Sequence, residues 1–298
     1  MELADSSRPQ ARAWDYLLLH GIVVIWGITA VLGKLITLSP AVLTAWRTGL
    51  AAVALFGILA LKREPWPERR VIWQMLGTGL LIGLHWILFF LGGRLGTVSA
   101  SLAGASTMAL WIALLEPIMV PGRRWRGPEA LLALGVTGGV MIIQFSDQGL
   151  LTGILAALVA AVFSIINGQL VSKHSALVIT AWEMTSACAL CVAAALLVAP
   201  AGLAGWWPSH TDWPLLLVLA LVCTVFAYSA CVWLQRRVSA FSLGMAGNLE
   251  PVYGIALATL VFGAAEEQPL RFYLGAAVII SCVLGHTFLT SRQKKAIM

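Results

Sequence analysis

Of the 298 residues, 60% are hydrophobic and only 11% charged, and the mean hydropathy is +0.90. Soluble domains carry about a quarter charged residues, so this balance excludes a soluble enzyme or binding domain of this length. The net charge of +6 does not indicate nucleic acid, because the cations sit in short segments flanking apolar runs, where topology and anionic lipid account for them.

Apolar runs of about 20 residues are long enough to cross a bilayer as helices. Ten occur, near 16–36, 41–61, 71–92, 96–119, 129–145, 150–171, 177–199, 214–234, 239–262 and 269–290. Residues 1–15 are polar and show no cleavable signal peptide, and the first run is long enough to span and stay. Assigning the connections alternately to two faces separates the basic residues. One face carries Arg8 and Arg12, then Lys62, Arg63, Arg69 and Arg70, then Arg123, Arg124 and Arg126. Lys173, Arg236, Arg237, Arg292, Lys294 and Lys295 follow on the same face. The other face carries Arg94 and Arg271, while Lys34 and Arg47 lie within runs. Lys- and Arg-rich flanks resist translocation, so the basic face is expected to be cytoplasmic, with both termini inside. Trp206, Trp207 and Trp213, in the longest connection, read as an interfacial aromatic belt.

The chain also repeats itself. Thr44-Ala45-Trp46 recurs as Thr180-Ala181-Trp182, and Arg94 followed by Leu102-Ala103-Gly104 recurs as Arg237 followed by Met245-Ala246-Gly247. Two matches in the same order divide the chain into five-helix halves, 16–146 and 147–290, with cytoplasmic tails 1–15 and 291–298. Five is odd, so the second half enters the membrane from the opposite face. The expected fold class is an all-α membrane protein of ten transmembrane helices in two inverted five-helix repeats. Secondary transporters built this way place the substrate between the halves near the midplane. Gly79 with Gly83 and Gly135 with Gly139 form G-x-x-x-G pairs, which let helix backbones approach closely in lipid. All five cysteines, Cys188 and Cys191 included, fall inside runs and read as small packing residues rather than a redox or metal pair.

An ionisable side chain at the centre of a membrane helix costs on the order of 2.5–3.5 kcal/mol, so each needs a reason. Glu250 falls mid-way along the ninth run, with Asn248 before it and Pro251 after it. A proline bending the helix there would present freed carbonyls beside a carboxyl, a site for a proton or for a cationic part of a substrate. The alternative is a Glu that fastens helix nine to helix ten. Glu116 lies near the cytoplasmic end of the fourth run, within reach of Arg123-Arg124, and reads as an interfacial ion pair or as a cytoplasmic gate. Arg47 and Glu183 occupy equivalent repeat positions in the first turns of helices two and seven, where snorkelling or contact with a neighbouring helix end explains both. Lys34 has the same explanation, or attracts an anionic substrate. Better pocket candidates are Trp26, His85 beside Trp86, Thr107, Trp111, Asn167 and Tyr228, spread near mid-membrane over helices one, three, four, six and eight. An apolar pocket with a few placed polar groups suits a small organic solute, and aromatic faces also accept cations.

Trp26-Gly27 in the first run, Trp46-Arg47 in the second and Leu249-Glu250-Pro251-Val252 in the ninth resemble the drug/metabolite transporter superfamily, EamA branch. His85-Trp86, Phe89-Phe90, Leu114-Leu115-Glu116-Pro117 and Arg123-Arg124 are similar to one bacterial subgroup of that branch, and the resemblance covers 16–290. It implies a multi-pass protein of the bacterial inner membrane with a central cavity lined mainly by the first, third, fourth, sixth, eighth and ninth helices. It also implies movement of amino acids, amines, other metabolites or drug-like solutes, with export favoured over uptake. The Glu-Pro in the fourth run, in addition to that in the ninth, departs from the family pattern. The expected partners are a small-molecule substrate and membrane lipid, and no cofactor is expected. A membrane-embedded enzyme is the main competing class, followed by a channel, scramblase or receptor-like protein. For an enzyme the sequence offers no H-E-x-x-H, no G-x-S-x-G, no Gly-rich phosphate loop and no metal-ligand spacing. The loops are too short for a nucleotide-binding domain, so ATP is not expected to drive this chain directly.

Overall fold

The computed structural model describes residues 11–297 apart from 124, 126, 128–130, 132, 133, 137, 140, 141, 143–147, 199–204 and 267–268. Helix α1 (Ala13–Leu35) starts where the Arg12 backbone N–H donates to Asp15 Oδ2 at 2.8 Å, satisfying a donor that a helix start leaves free. Helix α2 (Pro40–Lys62) starts at Ser39, whose hydroxyl accepts from the Val42 N–H, and Pro40 occupies the first turn, where its missing N–H costs nothing. It ends on Arg63 in the left-handed region, φ 53°. Helix α3 (Arg69–Leu95) follows. The fourth expected run is two helices, α4 (Val98–Ala105) and α5 (Met108–Met119), parted by a turn at Ser106-Thr107.

The second half opens with α6 (Gln148–Leu170) and α7 (Ala176–Val198). A single rod comes next, made of α8 (Asp212–Leu217), a π-helical stretch (Val218–Phe226) and α9 (Ala227–Leu234). The ninth expected run is again two helices, α10 (Ala240–Gly247) and α11 (Glu250–Phe262), parted at Asn248-Leu249 and continued by a 3-10 turn (Gly263–Glu266). Helix α12 (Leu270–Ile297) runs through the tenth expected run and on past residue 290, so the expected C-terminal tail continues a helix. Among the described residues there is no strand, and eight stretches are long and apolar enough to cross a membrane. The fifth expected helix, 129–145, lies largely outside the described residues.

Helix α1 runs along α10 and α11, as α6 runs along α4 and α5. Helix α11 crosses α4 as α5 crosses α10, and α2 meets the π-helical stretch as α7 meets α3. These pairings survive exchange of the halves, so the repeat in the letters is also a repeat in the packing. The α3–α7 seam explains one glycine pair. A Cβ on Gly79 would enter the Glu183 backbone and the Ser186 hydroxyl, and Gly83, one turn on, faces Ala187. Lipid tails are as apolar as the helices, so close backbone contact, rather than hydrophobic exclusion, holds such seams together. Leu43, Leu55, Ile82, Ile179 and Leu219 are fully buried between helices, whereas Leu61, Leu197 and Leu260 face outward, as lipid contact requires.

Candidate functional site

A cavity of about 110 Å³ lies between the halves. One water needs about 10–15 Å³ on the same scale, so there is room for a small organic solute or a cluster of waters. From the first half the lining includes Trp26 and Thr29 of α1, Arg47 of α2, His85, Trp86 and Phe89 of α3, and Ser106 at the first helix break. From the second half it includes Phe163, Ser164 and Asn167 of α6, Tyr228 of α9, Gln235 just after it, Asn248 at the second break and Glu250 of α11.

Both broken helices meet the cavity at their breaks. In the first, Ser106 Oγ donates to the Ala103 carbonyl at 2.6 Å and Thr107 Oγ1 to the Gly104 carbonyl at 2.8 Å, so two carbonyls left by the interruption are satisfied locally. In the second, Pro251 sits in the opening turn of α11. There it removes no hydrogen bond, so it begins a half-helix instead of bending an intact one, which corrects the mid-helix placement of Glu250. Glu250 is the first residue of α11, half-buried, at the partially positive end of that helix.

Arg47 and Glu183 also depart from expectation: neither snorkels. Helix α2 begins at Pro40, which puts Arg47 about 10 Å along the helix. It is 1% exposed, its guanidinium carbon lies 3.8 Å from the Trp86 ring centroid, and its Nε donates to Thr224 Oγ1 at 2.8 Å. Stacking on the indole holds the flat guanidinium inside the bundle. Thr224 belongs to the π-helical stretch, and its hydroxyl donates to the Leu219 carbonyl, five residues earlier, at 2.8 Å. Glu183 is fully buried and accepts from the Tyr228 hydroxyl at 3.1 Å, while that hydroxyl accepts from Asn167 Nδ2 at 2.9 Å. Lys34 meets a neighbouring helix end, the other explanation the sequence offers. Its Nζ lies 2.7 Å from Glu266 Oε1, a protein carboxylate rather than a substrate's.

Of the sequence candidates, Trp26, His85, Asn167, Tyr228, Asn248 and Glu250 line the cavity, and Thr107 and Trp111 do not. The turn at 106–107 separates them: Thr107 closes the break, Ser106 and Met108 face the cavity, and Trp111 packs beside Ile112, Ile165 and Phe241. His85 is held by its Nδ1, 2.8 Å from the Ala156 carbonyl oxygen. Glu116 stands apart from the cavity and pairs with Arg123, Nη2 to Oε2 3.2 Å. The sequence candidates omit Arg47, Gln235 and Ser164, the last two joined by a 3.1 Å hydrogen bond from Gln235 Nε2. A cation inside an apolar run is the signal that singles out Arg47. Gln235 gives none, since at the end of a run it reads as an interface residue.

The sequence model of the EamA-like transporter family matches residues 13–145 and again 147–288. The chain therefore belongs to that family and carries two copies of its unit. It is a multi-pass integral membrane protein of a family of membrane transporters for small molecules. A crystal structure described only by the words "Crystal structure of protein" has the same fold, with a TM-score of 0.71 at 19% identity over 95% of this chain and 98% of its own. No curated protein matches the sequence.

Proposed function

We propose that this EamA-like protein is a secondary transporter that exports a small organic metabolite or drug-like solute by alternating access. The observation that carries the reading is a single cavity lined by both copies, with the breaks of both discontinuous helices opening onto it. Discontinuous helices at a repeat interface are where transporters of this build hold their solute. In this reading the two copies, 16–146 and 147–290, are inverted five-helix bundles. The tails 1–15 and 291–298 and both termini lie in the cytoplasm of a bacterial inner membrane. Two like bundles in opposite orientation have two related arrangements, one open inward and one open outward, and the solute shifts the balance between them. Trp26, His85, Asn167, Tyr228 and Asn248 contact the solute, Glu250 carries a proton or meets a cationic part of the solute, and the Glu116–Arg123 pair belongs to the cytoplasmic gate.

The test begins with a thermal-shift screen of the purified chain against amino acids, amines, nucleosides and hydrophobic cations. A ligand at 100 times its dissociation constant adds about 2.7 kcal/mol of stability. Hits then go into proteoliposomes containing only this chain. Saturable flux of the unchanged compound supports the transporter; chemical conversion of the compound, or binding without flux, ends the reading. Orientation is tested separately, by cysteines placed at the exposed positions Trp207 and Trp66. An impermeant thiol reagent added to intact cells should label the first and spare the second; the reverse pattern would overturn the orientation, and equal labelling of both would overturn the inverted arrangement.

A further inference from the structure

We infer that the cavity selects its solutes by a carboxylate, received by Arg47 with the Asn248 amide as a second donor. The inference deepens the transport reading and rests on it in taking this cavity as the place where the solute is held. Arg47 is a buried cation without an ion pair among the described residues. Its flat face is taken by Trp86 and its Nε by Thr224 Oγ1, while Nη1, on a residue lining the cavity, has no hydrogen-bond partner. A guanidinium with its face fixed by an indole offers its edge in one plane, the geometry that fits a carboxylate. Asn248 is 1% exposed, lines the same cavity, and its Nδ2 likewise has no partner.

Glu250 faces this cavity too, but it is not within ion-pair distance of Arg47. The two charges attract across the cavity without a direct salt bridge, so an entering carboxylate has no short ion pair to break. Phe89, Leu102 and Phe163 give the rest of the cavity an apolar surface for the organic body of the solute. The predicted class is a small carboxylate with an apolar or aromatic body; a solute that also carries an ammonium meets Glu250 with it. If Arg47 were only a pin holding α2 to α3 and the π-helical stretch, an acid and its amide would bind alike.

The experiment compares 3-phenylpropionate, 3-phenylpropionamide, 3-phenylpropylamine and phenylalanine for binding to the purified full chain. The expected result is saturable binding of at least one of the two carboxylates. It should be roughly 10- to 100-fold tighter than that of the amide, the ratio a charge-assisted hydrogen bond supports. Arg47→Gln should bring acid and amide to within about two-fold of each other, and Arg47→Lys should keep part of the preference. The acid-to-amide ratio in the parent protein needs no variant, so it stands even if Arg47→Gln fails to fold. Equal binding of acid and amide, preference for the amine, or no binding of either carboxylate overturns the inference. Carboxylate binding without flux would sink the transport reading and leave this one standing, and flux indifferent to the carboxylate would do the reverse.

Discussion

The two ends of the bundle and its middle use the same kinds of side chain in opposite ways. At one end, Glu266 accepts from Lys34 Nζ at 2.7 Å, from the backbone N–H groups of Val98 and Ser99 at 2.9 and 3.1 Å, and from Ser99 Oγ at 2.9 Å. Nearby, Arg94 Nη2 donates to the carbonyl of Gly33 in the last turn of α1 and to those of Ile36 and Leu38 just past it. At the other end, Asp15 pairs with Arg237 at 3.2 Å, and Arg236 donates to the carbonyls of Val171 and His174 beyond the end of α6. Arg94 and Arg236 thus do one job in the two repeats, each tying off the first helix of its half, so the structural counterpart of Arg94 is Arg236 and not the Arg237 that the letters match to it. In the middle, Arg47 Nη1, Asn248 Nδ2, Asn167 Oδ1 and Gln235 Oε1 are buried without a partner. Polar groups at the ends are satisfied by the chain and close the structure, whereas several in the middle keep a donor or acceptor that the chain does not use.

The contrast is sharpest where removal should cost most. Glu266→Ala strands Lys34 and two N–H groups at the start of α4, and should lower stability in detergent by about 3 kcal/mol. A loss below about 1 kcal/mol would mean that the paired ends are not what holds the bundle. Asp15→Ala removes the acceptor of the Arg12 backbone N–H together with the pairing to Arg237, and should cost about 1 kcal/mol in the same unfolding assay. Glu116→Gln breaks a partly solvated pair and should cost less than about 1 kcal/mol. Its effect on flux should exceed its effect on stability if the pair gates the cytoplasmic side. Glu250→Gln should move stability least, within about 0.5 kcal/mol, while transport driven by a pH gradient falls by roughly ten-fold or more. A Gln variant that still concentrates solute under a pH gradient would remove Glu250 as the coupling group and make Glu116 the next carboxyl to test.

What could be read in advance follows the range of the forces involved. Eight of the apolar runs, the repeat and the Gly79–Gly83 seam are local properties of letters, and they appear among the described residues. Pro251 was legible as an interruption, but whether it bends one helix or begins another depends on the backbone around it. The break at Ser106-Thr107 has no proline to announce it, because two hydroxyls bonding back to the chain stabilise it. Arg47 was misplaced because the flat stacking on Trp86 that keeps it from the interface is a contact between helices. Lys34 and Glu266 are 232 positions apart, and no pattern in either neighbourhood joins them.

The nine π-helical residues of the long rod have an effect beyond their own length. Hydrogen bonds that reach back five residues make a wider turn, so the chain leaves the stretch facing a different way than an α-helix of the same letters would. Tyr228, Cys231, Val232 and Gln235 all come after it and all line the cavity. Their aim is therefore set upstream, by backbone that carries the Thr224 anchor of Arg47. Sliding that stretch by one hydrogen-bond step would rotate the four together and release the arginine in the same movement, which makes the rod a dial with one setting for several walls of the cavity.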